Sequence, residues 1–149
     1  MISRRNFIVT TGLATTAVLA SPSSAFSMNK KEIGLQLYTL REELPKDVKG
    51  TLEKVAKAGY TNVETYGFST KDQFWGLSPI ELKKILDENN LKVVSGHYNL
   101  GSFLYDGNTD ELIASIEAAK TLESEFLTIP WVDEPFRRTI EDYKKIAAR

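Results

Sequence analysis

The chain has no cysteine and only one histidine, His97. Without cysteine there are no disulfides, no thiolate nucleophile, no thiolate metal site and no lipid attached to sulfur. A fold built from this sequence is held by its core alone. Positive charge is also in short supply: 19 Lys and Arg stand against 20 Asp and Glu, a net charge of −1. No basic surplus favours nucleic acid or an anionic membrane as a partner. No Gly-x-Gly-x-x-Gly follows a strand-like run, which argues against a dinucleotide site. A membrane span needs about 20 apolar residues, and the run from Phe7 to Ala20 is shorter and diluted with Thr and Gly. No stable span is expected.

What is present begins at the N-terminus. No acid precedes Glu32, and Arg4-Arg5 stand just ahead of the weakly apolar run. Ser21 to Ala25 follows, with small residues at Ser23 and Ala25. A basic start, a short apolar middle and a small-residue end make a secretory signal. Ser3-Arg4-Arg5-Asn6-Phe7-Ile8 resembles the twin-arginine translocation motif, with Ile8 in place of Leu and Val9 in place of Lys. The resemblance implies a twin-arginine signal peptide over 1–25, the translocase as a partner during export, and a periplasmic or otherwise exported protein after cleavage near Ala25. Cleavage there removes two arginines and no acid, taking the net charge from −1 to −3. Residues 26–32 read as a short leader.

Four runs have strand character: 33–40, 61–67, 91–97 and 126–132. Helical patterns lie between and after them. The first spans about Pro45 to Ala58, with Val48, Leu52 and Val55 on one face and Gly59 as terminator. The second opens on Ser78-Pro79-Ile80-Glu81, a capping box with proline at the first helical position. The third starts near Asn108, with Leu112, Ile113, Ile116 and Ala119 at helical spacing, and the fourth near Thr139. The order βαβαβαβα argues for an α/β fold with a parallel sheet, either open and doubly wound or closed into a barrel. A complete (βα)8 barrel typically takes about 250 residues, so four units amount to half of one.

Two single residues stand out. Glu64 sits inside the otherwise uncharged run Asn62-Val63-Glu64-Thr65-Tyr66. A carboxylate there needs a partner or a polar cavity. Alternation sets Asn62, Glu64 and Tyr66 opposite Val63; in a barrel that would put Glu64 in the lumen and Val63 against the helices. His97 ends the third strand, where barrels place active-site groups. On the first strand, Gly34, Gln36 and Tyr38 alternate with Ile33, Leu35 and Leu37, so Gln36 and Tyr38 are candidates to line a pocket. Trp131, after the fourth strand, is a candidate aromatic wall of such a pocket. Asp133 and Glu134 read as a solvated loop. Phe74, Trp75 and Tyr105 fall in loops that either rim a pocket or plug it.

The stretch IGLQLYTLREELPKD, with LEKVAKAGYTNVETYG and the SGH that ends the third strand, resembles the sugar phosphate isomerase/epimerase family of xylose isomerase-like TIM barrels. The resemblance runs over 33–149, the N-terminal half of such a barrel. It implies an enzyme that moves a proton next to a carbonyl of a small carbohydrate. It also implies a divalent metal (Mn, Mg, Co or Zn). Glu64 and His97 are then the catalytic candidates; Gln36, Tyr38 and Trp131 are the substrate-binding ones. In such relatives the principal metal and acid/base groups come from later strands, so the metal ligands are unknown here. Two rival expectations are a non-catalytic carbohydrate-binding barrel and a half barrel that pairs with itself as a homo-oligomer. A nuclease is disfavoured by the acidic balance and the single histidine.

Overall fold

The structure, a computed structural model, describes residues 32–149. The signal segment with Arg4 and Arg5, and the leader up to residue 31, lie outside the described residues. Four strands form one parallel sheet in the order β1-β2-β3-β4: Gly34–Gln36, Asn62–Phe68, Lys92–Tyr98 and Phe126–Thr128. The helices are α1 (Val48–Lys57), α2 (Pro79–Glu88), α3 (Gly101–Asp106), α4 (Asp110–Thr121) and α5 (Ile140–Ala147). None of them is long and apolar enough to cross a membrane.

One face of the sheet meets the helices. Val63 and Thr65 of β2 are fully buried, with Leu52 and Val55 of α1, Leu82 and Leu86 of α2, and Ala118 and Ala119 of α4. Each fully buried Leu or Val contributes about 1.5–3 kcal/mol. The other face carries Asn62, Glu64 and Tyr66, all part-exposed. The expected alternation in β2 is therefore present.

The outer strands are shorter than expected. β1 stops at Gln36 because residues 37–40 curl into a 3-10 turn. There the Thr39 hydroxyl donates to the Gln36 carbonyl at 2.8 Å, a local bond that competes with the ladder. β4 stops at Thr128; Pro130, two residues on, has no N–H to offer a strand. Helix α1 starts at Val48 rather than Pro45, because Asp47 caps it by accepting from the Gly50 N–H at 2.9 Å. Helix α3 was not expected from the sequence. On α4 the buried face is Ser115, Ala118 and Ala119, whereas Ile113 is 57% exposed. Small residues let the backbone approach the sheet, and bulky Ile113 and Ile116 are left outside.

Candidate active site

Two irregularities set the inner face of the sheet. Val63 pairs with Val93, but Glu64 pairs with Ser95, so Val94 is an extra residue in β3. Such a bulge turns every later side chain to the opposite face. Ser95 and His97 thereby join Glu64 and Tyr66 on the inner face, and Gly96 takes the buried position beside Thr65. A second extra residue, Gly67 in β2, restores the register, so that Phe68 meets Tyr98. Gly67 has φ of 76°, the left-handed region that glycine occupies without steric cost.

The result is a connected chain of polar groups. The Ser95 hydroxyl donates to Glu64 Oε1 at 2.6 Å. His97 Nε2 lies 3.2 Å from Glu64 Oε2, and its Nδ1 lies 3.2 Å from Gln36 Nε2. A carboxylate only accepts, so Nε2 carries the proton toward Glu64; Nδ1 then accepts from the Gln36 amide. Glu64 and His97 are 23% and 27% exposed, enough to be reached from solvent. The structure thus brings together three of the residues singled out in the sequence, and adds Ser95 to them.

Above this chain lies a cleft of about 650 Å³, in the range of small-molecule sites. It sits beyond the carboxyl ends of the strands, where barrel enzymes bind ligands. Tyr38, Tyr66, His97 and Trp131 line it, with Asp72 and Asn99 as further polar groups. Gln36 and Glu64 are not part of its lining; they act on it through His97. Tyr38 and Tyr66 meet edge to face at 5.2 Å, and Trp75 packs on Tyr66 at 5.1 Å. Burial raises the Tyr66 phenol above its usual 10, and the Trp75 indole partly offsets the rise. Trp131 is 63% exposed, with the Arg137 guanidinium 4.4 Å from its ring centre. Phe74 is fully buried in its loop, whereas Tyr105 lies in helix α3 and not in a loop, stacked on Phe136 at 3.9 Å; neither rims the cleft. Asp133 and Glu134 are exposed, as expected.

Asp72 and Asn99 had no signal in the sequence, since loops have no periodicity to read. Ser95 had one: it stands two residues before His97, on the same face of the strand. Among the described residues no three His, Asp or Glu side chains converge as a metal site. These residues alone do not fit the divalent metal that the sequence resemblance implies.

Four parallel strands with alternating helices and a cleft at their carboxyl ends define part of an α/β barrel of the TIM type. Solved structures of such barrels match the chain. A sugar phosphate isomerase/epimerase from Parabacteroides distasonis aligns over 86% of this chain and 47% of its own, at 23% identity and a TM-score of 0.62. Another from the same organism aligns over 78% and 50%, at 23% identity and 0.51. A family 2 AP endonuclease from Brucella melitensis aligns over 77% and 49%, at 16% identity and 0.51. At these identities the likeness establishes the fold. The chain spans about half the length of the structures it matches. No protein-family model and no curated protein matches the sequence.

Proposed function

We propose that the chain forms the carbohydrate-handling half of an exported isomerase/epimerase-like barrel enzyme. The observation that carries this reading is the aromatic cleft whose floor is His97, hydrogen-bonded to Glu64. Exposed aromatic faces suit the carbon-bound face of a sugar, and fixed polar groups suit its hydroxyls. His97 Nδ1, released by the Gln36 amide, would accept a proton from the carbon next to the substrate carbonyl and return it to the same or the neighbouring carbon, with Glu64 stabilising the imidazolium through Nε2. Gln36 steadies the imidazole, and Tyr38 and Trp131 wall the substrate. A divalent metal would polarise the carbonyl; its donors would lie outside the set described here. Export rests on the Arg4-Arg5 pattern, and it favours free sugars over phosphorylated ones.

The test is deuterium wash-in. In D2O, the protein should exchange the hydrogen next to the carbonyl of a ketose or aldose, followed by proton NMR. Glu64→Gln should slow that exchange by about 100-fold or more, the ordinary worth of a positioned acid/base group. Exchange that is undiminished in the variant would remove Glu64 from the chemistry. Saturable sugar binding without exchange would favour the non-catalytic reading.

A further inference from the structure

We propose that Ser95 is a positioning residue that fixes the Glu64–His97 pair from the side away from the cleft. The proposal deepens the functional reading above and rests on it for its meaning. Ser95 is not among the residues that line the cleft. Its hydroxyl nonetheless makes the shortest bond in the polar chain, 2.6 Å to Glu64 Oε1. A carboxylate on a flexible side chain has two oxygens and several rotamers. With Oε1 held by Ser95, Oε2 is the atom left for His97 Nε2, at 3.2 Å. Gln36 completes the arrangement at Nδ1. Glu64 then dictates the Nε2–H tautomer of His97, and Ser95 dictates the orientation of Glu64.

The bulge explains why Ser95 is available at all. If β3 continued in simple register from Val63–Val93, Glu64 would face Val94, and Ser95 would turn toward the helices with His97. The extra residue at Val94 brings both onto the inner face. Bulges beside active sites re-aim side chains in this way. A single local irregularity therefore delivers both the imidazole and the hydroxyl that orients its partner.

His97 is the only histidine in the 149-residue chain, so histidine-selective 15N labelling gives the spectrum of one ring without assignment. The ligand-free protein should show the Nε2–H tautomer with slow exchange of that proton with water. Ser95→Ala should speed the exchange by about tenfold, the worth of roughly one hydrogen bond to a charged group, and mix the tautomers. Ser95→Thr, which keeps the hydroxyl, should restore the original spectrum. Should Ser95→Ala not fold, Ser95→Cys supplies the same test at nearly the same volume with a weaker donor, and faster exchange is again the expected result. Unchanged exchange in the folded variant lacking the hydroxyl would overturn the proposal. So would an equal change in Ser95→Ala and Ser95→Thr, which would mean packing rather than the hydrogen bond. The spectrum needs no substrate, so a protein that handles no sugar could still pass this test, and a sugar enzyme could fail it.

Discussion

Tyr98 is fully buried, and its hydroxyl has no hydrogen-bond partner among the described residues. Burial pushes its phenol up to about 12 from the usual 10, and the nearby Thr65 hydroxyl offsets this only in part. The folded chain therefore keeps a proton that the unfolded chain loses near pH 10. The stability this represents is complete below pH 10 and is lost as the pH climbs to about 12. Two pH units correspond to about 2 to 3 kcal/mol. Tyr98→Phe should remove that share of the alkaline loss in urea titrations between pH 9 and 12, and an equal alkaline slope in both proteins would contradict the account. At neutral pH the change should be near neutral or stabilising, because it deletes an unsatisfied buried group. At this scale some of the site was legible and some was not. Glu64 declared itself as the one charge in an otherwise uncharged strand. Its bond to Ser95 could not be read, because a one-residue bulge leaves no mark in the alternation.

The termini of the helices were the most legible elements. Ser78 and Glu81 cap α2 reciprocally: the serine hydroxyl accepts from the Glu81 N–H at 3.3 Å, and the Glu81 carboxylate accepts from the Ser78 N–H at 2.8 Å. The Ser78 hydroxyl and then its N–H hold the Glu81 carboxyl below its usual range. Ser78→Ala should cost about 1 kcal/mol in chemical denaturation. The Glu81 contribution is present above its ordinary titration range and is lost as the pH falls through its lowered folded value. Glu81→Gln should accordingly flatten the acid limb of stability against pH; an unchanged limb would contradict the reciprocal cap. Thr139 and Asp142 repeat the device at α5. The interior of α4 was harder to read. Hydropathy favours Ile113 and Ile116 for the core, but close packing selected Ser115 and Ala118. The ends of β1 and β4 were equally hidden, since Thr39 stops its ladder by a local bond and Pro130 by lacking an N–H, and neither shows as polarity.

As a whole, the described residues make an open sheet whose outer strands are β1 and β4. The alternation of strand and helix was readable from the spacing of apolar runs, because a parallel sheet needs crossover helices; the sequential strand order was not, because an open doubly wound sheet has the same spacing. Ile33 beside β1 and Phe126 in β4 are each 63% exposed. Exposed apolar groups at unpaired strands invite further pairing, which supports self-pairing as the rival to a sheet continued by more βα units. The cleft lies at the carboxyl ends of the four strands. The most direct test of the account is a titration of free monosaccharides into the protein, followed by calorimetry and by tryptophan fluorescence. It predicts saturable binding that Trp131→Ala weakens by tenfold or more while thermal unfolding stays unchanged, since Trp131 is exposed and outside the core. No saturable binding of any monosaccharide, or binding indifferent to the loss of Trp131, would contradict a carbohydrate cleft at this site.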